Sequence, residues 1–337
     1  MTHFERMQNC LFGDMTQGIP VSFWRHFPLA DQSAEGLARA TIDWQKQFEF
    51  DFVKVMPSSS FCVKDWGCKD QYSGNPYGIR NYTQHIIKQP DDWFKLPVLD
   101  PEHGYLGQQI EALRKIKTGL GNAVPIVQSI FNPLSQMENL AGYQTLTYHL
   151  ERFPEAVLAG LITISKSTAL FIQKAAETGI DGIYFIIKHS DLLRFYQRQY
   201  ASIVSPFDLI CLKPAEKLWL NIIHIHAETA NINDFEHYPT QILSIHGLHD
   251  HETLKNIKSL TSKVLCGGLQ RQEVMAVGME GDVIKQANDF NSEMGSRPFI
   301  LAAECGLRLD TPFKNIVAAI NFTREKEFHF SISSTMP

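Results

Sequence analysis

Eight short apolar runs, each followed by a segment able to form a helix, set the tightest limit on what this chain can fold into. The runs fall at 19–24, 51–56, 124–131, 180–187, 219–227, 241–248, 263–269 and 299–305. They are rich in β-branched and aromatic residues and are the length of strands. Helical stretches lie between them, most clearly over 33–48, 107–119 and 152–178. Strands that are apolar throughout are buried on both faces, as in a parallel sheet covered by helices. Eight βα repeats in 337 residues predict an α/β fold of one domain over 1–337, a (β/α)8 TIM barrel. An open doubly wound sheet with a lid is the competing topology. A long insertion rich in Gly, Pro, Tyr and Asn follows the second strand at 57–105. Its Trp66, Tyr72, Tyr77 and Tyr82 suit a lid, a partner surface or plain packing.

Composition excludes several classes. Hydrophobic residues make up 44% and charged residues 20%, so a large core is available. A net charge of −5 gives no electrostatic footprint for nucleic acid. No uninterrupted apolar run reaches the roughly 18 residues of a membrane span. The opening, MTHFERMQNCLFGD, is polar where a signal peptide is apolar. Six cysteines in so long a chain are too sparse for a disulfide scaffold. The expectation is a soluble cytoplasmic protein acting on a small-molecule substrate, with a homodimer as an allowed assembly.

In a barrel of this kind chemistry gathers where strands end and βα loops begin. His224 and His226 are two apart in the fifth run, so strand alternation points both imidazoles to one face. The eighth run ends Ala-Ala-Glu-Cys-Gly and brings Cys305 to the same rim. Two imidazoles and a thiolate would leave a fourth tetrahedral position open, the pattern of a catalytic zinc site. The plainer alternative is a hydrogen-bonded histidine pair and a cysteine acting as apolar filler. Glu228 is then either a carboxylate supporting the ligands or a loop charge. Arg25 and His26 end the first run; an arginine there suits a substrate carboxylate or phosphate, or a rim salt bridge. Ser58 ends the second run, and His246 is placed to face the cavity. Gly267 and Gly268 allow close backbone approach to a ligand or a tight turn.

Several of these segments together resemble one family. Glu5-Arg6-Met7, Leu11-Phe12-Gly13 and Ile19-Pro20-Val21 are similar to the opening of the uroporphyrinogen decarboxylase superfamily. So are Ser129-Ile130-Phe131-Asn132-Pro133-Leu134, Cys266-Gly267-Gly268-Leu269, and Glu304-Cys305-Gly306 with Thr311-Pro312 and Asn315-Ile316. The resemblance spans nearly the whole chain and implies a (β/α)8 barrel. Its decarboxylase branch holds substrate carboxylates with arginines of a PVWxMRQAGR motif and pyrrole N–H groups with an aspartate after strand two. Here only the first arginine is kept, at Arg25; the second falls on Leu29 and the aspartate falls near Ser58. The histidine of the late Gly-His-Gly motif falls on Cys305. Loss of such a charge typically costs about 2–4 kcal/mol of transition-state stabilisation.

The other branch moves a methyl group from a methylated corrinoid to a thiol at a zinc held by H-x-C and a later Cys. His224-Ile225-His226 and Cys305 match two of those ligands and replace the middle one with His. The resemblance therefore implies zinc on His224, His226 and Cys305, with catalytic roles for Arg25, Ser58 and His246. Arg25, His26, Gly267 and Gly268 would then contact substrate. No D-x-H-x-x-G corrinoid signature occurs, so a corrinoid would arrive on a separate protein. Uroporphyrinogen decarboxylation, or a non-catalytic barrel binding a tetrapyrrole or a corrinoid partner, are the alternatives.

Overall fold

The computed structural model describes residues 1–16, 18–188, 200–226 and 232–333. Seven parallel strands form one curled sheet: β1 (Val53–Val55), β4 (Ile126–Phe131), β5 (Gly182–Lys188), β6 (Ile222–His226), β7 (Ile242–Ile245), β8 (Val264–Leu269) and β9 (Phe299–Ala303), paired in that order. The segment 19–24 fills the gap between the two edges. Val21 pairs in parallel with Leu301, Ser22 N–H donates to the Leu301 carbonyl at 3.1 Å, and Asp51 N–H donates to the Val21 carbonyl at 2.9 Å. The eight runs read from the sequence thus close a TIM-barrel-like fold. Only a few of the first run's residues pair, because β1 and β9 each reach it over a short stretch.

Helices cover the sheet where periodicity predicted them, with differences at the ends. Helix α2 (Ala34–Phe48) starts at Ser33, whose hydroxyl accepts the Gly36 N–H, and α3 (Gly104–Leu120) ends at Gly121 with φ +58°. The stretch expected as a helix over 152–178 is one, and a separate shorter helix precedes it. Helix α5 (Tyr143–Arg152) stops at Phe153, and α6 (Pro154–Ala176) restarts with proline in its first turn, where a missing N–H costs nothing. By length and composition α6 is apolar enough to cross a bilayer, which no uninterrupted run had suggested, since Ser, Thr and Lys interleave its Leu, Ile and Ala. Just over half of it (56% of its most apolar window) is buried inside this fold, so it is also an ordinary barrel helix. The insertion after β1 folds into short 3-10 turns and a hairpin of β2 (Lys69–Gln71) and β3 (Asn81–Gln84).

At the N-terminal end of the barrel one carboxylate ties the seam. Asp51 is fully buried and accepts from Arg6 at 2.5 Å, from the Val21 N–H at 2.8 Å and from Arg324 at 3.2 Å; the His3 ring lies 2.9 Å away. Arg6 and His3 come from α1 (His3–Leu11) and Arg324 from α10 (Phe313–Ser333), so both terminal helices meet the first strand there. Burial pushes the Asp51 carboxyl up, but His3, Arg324 and Arg6 outweigh it and hold it below its ordinary 3.8. A lowered folded value stabilises fully above the unfolded value and fades as pH falls through the folded one. We predict that Asp51→Asn costs about 3–5 kcal/mol in urea titrations, as breaking a buried ion pair does. Wild-type stability should hold from neutrality down to 3.8 and fall below it, a loss that is smaller in the variant.

Candidate metal centre

Parallel strands turn alternate residues inward, and this parity assembles the site. On β6, Ile223 and Ile225 face out and are fully buried beneath the covering helices, while His224 and His226 face the interior. His224 is paired in register with Ser244 of β7, and His246 follows two residues on. Cys305 lies two residues past β9. The ligand atoms of His224, His246 and Cys305 all lie within 4.8 Å of one another. The ring of His226 is 4.3 Å from that of His246 and 5.8 Å from that of His224.

Polar neighbours orient the first imidazole. The His224 Nδ1 lies 3.0 Å from the Ser244 hydroxyl, which accepts from the Tyr184 phenol at 3.1 Å. In the tautomer whose Nδ1–H donates to that hydroxyl, Nε2 carries the lone pair a cation needs. Nε2 of His224 and Nε2 of His246 are both buried without a hydrogen-bond partner. Such orphaned donors or acceptors cost roughly 1–3 kcal/mol each unless something satisfies them. Burial lowers the His224 imidazole to about 3 despite the opposing pull of Cys305, so it is neutral, the form that binds metal. Burial raises the Cys305 thiol, but the imidazoles of His224, His226 and His246 more than reverse this and hold it well below 9.0. The donor set fits zinc: neutral nitrogen and thiolate sulfur converging at a barrel mouth.

A cavity of about 350 Å³ opens above these donors, lined by strand ends and by Tyr77 and Ile79 of the insertion. His26 faces it, with Nδ1 at 3.1 Å from the Pro57 carbonyl; burial and the nearby Lys54 depress it to about 4. The insertion's other aromatics pack: the Trp66 indole donates to the Pro97 carbonyl at 2.9 Å, the Tyr72 hydroxyl donates to Asn75 within its own loop, and Tyr82 stacks on His85.

Four expected site positions lie elsewhere. Arg25 follows inward Trp24 and precedes inward His26, so parity turns it out. Its guanidinium sits 4.6 Å from the Trp44 ring and donates to the Leu309 carbonyl at 2.9 Å, in a crevice against α2. Ser58 is buried beside Ser60 in another crevice, with Asp31 and Gln109, and its neighbour Ser59 takes the cavity wall. The two glycines make room for protein, not ligand. A Cβ on Gly267 would meet Leu248 at 2.8 Å, and one on Gly268, at φ +105°, would meet the Phe290 ring at 2.4 Å. Glu228 lies outside the described residues.

Sequence reasoning missed Lys54, Lys188 and Arg271 on the cavity wall and the Ser244–Tyr184 pair beneath. Lys54 was visible as a lone charge within the apolar run 51–56. It is buried, its ammonium 3.5 Å from the centre of the Tyr184 ring and 4.7 Å from that of Trp24. Burial lowers it to about 7 against the pull of Cys305 and Cys266.

A parallel barrel with His and Cys donors at its C-terminal rim defines an enzyme of the TIM-barrel class. The chain belongs to the uroporphyrinogen decarboxylase family, whose model, described as uroporphyrinogen decarboxylase (URO-D), matches residues 22–326. Among solved structures it is similar to a methyltransferase from Methanosarcina mazei, at 16% identity and a TM-score of 0.78, over 96% of this chain and 99% of that one. It is also similar to a B12-independent methionine synthase from Shewanella sp. W3-18-1 in complex with selenomethionine, at 12% identity and a TM-score of 0.57, over 94% and 96%. No curated protein matches it by sequence.

Arg25→Ala should lower stability by about 1–2 kcal/mol through lost cation–π and hydrogen-bond contacts. Urea titration measures the loss; unchanged stability in this variant would overturn the packing role against Trp44.

Proposed function

We propose that this enzyme is a zinc-dependent methyltransferase that passes a methyl group from a methylated corrinoid to a thiol-type acceptor. The reading rests on one observation: ligand atoms of His224, His246 and Cys305 lie within 4.8 Å of one another, where His224 and Cys305 line the cavity. These residues would hold the zinc, with His246 taking the place first expected of His226. Zinc bound there supplies Lewis acidity that lowers the pKa of a thiol at its open position toward neutrality.

The protein's own groups prepare that chemistry. Ser244 and Tyr184 fix the His224 ring so that its free nitrogen points into the site. The Lys54 ammonium adds positive field beside Cys305, favouring its thiolate. Met56, Phe131 and Ile186 give the wall an apolar stretch that limits water around an anionic nucleophile. With His in place of a second thiolate the site is one charge less negative, which strengthens the Lewis acid and weakens the bound nucleophile.

Of the two structural neighbours, one is titled a methyltransferase and the other a B12-independent synthase. The corrinoid donor, delivered by a separate protein, therefore rests on the motif resemblance. Decarboxylation of uroporphyrinogen has less support. The positions of its two arginines are held by Arg25, packed on Trp44, and by Leu29, which is 84% exposed.

Metal analysis of protein purified without chelators tests the reading. We expect about one zinc per chain, lost in Cys305→Ala and in His246→Ala, and a thiolate-to-metal charge-transfer band after cobalt substitution. A folded protein that takes up no zinc on reconstitution overturns it.

A further inference from the structure

Lys54 lies on β1 inside the barrel and reaches the wall of the cavity. Two aromatic faces flank its head group, Tyr184 at 3.5 Å and Trp24 at 4.7 Å from the ring centres. Among the described residues no carboxylate pairs with it and no group accepts a hydrogen bond from it. A buried lysine is ordinarily paired, so this one is unusual in having only ring faces and cavity around its nitrogen. Desolvation outweighs the pull of Cys305 and Cys266 and leaves much of it as the free amine at neutral pH. The Cys266 thiol is itself pushed up to about 12 by burial and brings no charge there. A cation on Cys305 would weaken the remaining pull and move Lys54 further in the same direction.

His26 shares this wall, and burial keeps its ring neutral. The Pro57 carbonyl, 3.1 Å from Nδ1, can only accept, so Nδ1 carries the hydrogen and Nε2 holds a lone pair. Met56, Phe131 and Ile186 give the same cavity an apolar stretch suited to a short hydrocarbon tail.

We propose that Lys54 is a nucleophilic amine that captures a short-chain aldehyde as an imine in this cavity, a carbonyl-binding activity separate from methyl transfer. The inference does not rest on the zinc reading. Desolvated lysines are the amines that proteins use for this chemistry. The Lys54 nitrogen attacks the carbonyl carbon, and one of its protons passes to the oxygen by way of His26, giving a carbinolamine. The new hydroxyl takes up a proton and leaves as water while the nitrogen lone pair closes the C=N bond. Amine and aldehyde thus give imine and water, with no oxidant or reductant consumed. When protonated, the adduct is again a cation between the Tyr184 and Trp24 rings, which stabilise it as they do the ammonium.

Reductive trapping tests this. Protein as purified, and the same protein after chelation, is treated with butanal and cyanoborohydride at neutral pH, and the alkylated lysines are mapped by peptide mass spectrometry. Cyanoborohydride delivers hydride to the imine carbon and leaves a butyl group on the nitrogen. Lys54 should be butylated at least roughly tenfold faster than exposed Lys95 and Lys285, which Asp92 and Asp289 hold protonated. Its rate should saturate with butanal, and the fast phase should vanish in Lys54→Arg, which keeps a cation between the two rings. Label on Lys188 in place of Lys54, a Lys54 rate no faster than that of the exposed lysines, or a fast phase that survives in Lys54→Arg overturns the inference. Zinc content is measured separately, so this proposal and the zinc reading fail independently.

Discussion

The interior of this molecule exists because the two edges of a seven-stranded sheet are joined through Pro20, Val21 and Ser22. Asp51 makes that junction hold. Its backbone N–H pairs with Val21, and its side chain gathers the Val21 N–H with basic groups from both terminal helices. Such a buried carboxylate is stable only with several partners, and the fold supplies them from residues 3, 6 and 324. Once the seam is closed, side-chain parity does the rest. Every second residue of each strand looks into the same space, whatever its distance along the chain.

That space has an uneven charge. Lys54, Lys188 and Arg271 border it, and the histidines that face it include two whose burial keeps them uncharged, His26 and His224. Cys305 is the anion these neighbours favour.

Much of this was legible in the residues. The eight runs gave the barrel, and His224 and Cys305 were legible because strand alternation and strand ends are local properties. The place of His246 beside His224 depended on the pairing of β6 with β7, which no local pattern reveals. Arg25 went wrong for an instructive reason. The rule that put His224 and His226 on one face, applied to neighbours Arg25 and His26, forbids both from entering the cavity. Gly267 and Gly268 were misread because what they avoid, Leu248 and Phe290, is set by packing from other segments. Lys188 and Arg271 needed the closed barrel, since neither differs along the chain from an ordinary surface cation.

The last donor, Cys305, stands just beyond the strand whose Leu301 pairs with Val21 at the seam. A nascent polypeptide that has not yet released its final strand from the ribosome therefore lacks both the closing bridge and the sulfur. A cation held by His224, His246 and Cys305 would favour only chains in which that strand has docked, and by mass action would draw the population toward the closed barrel.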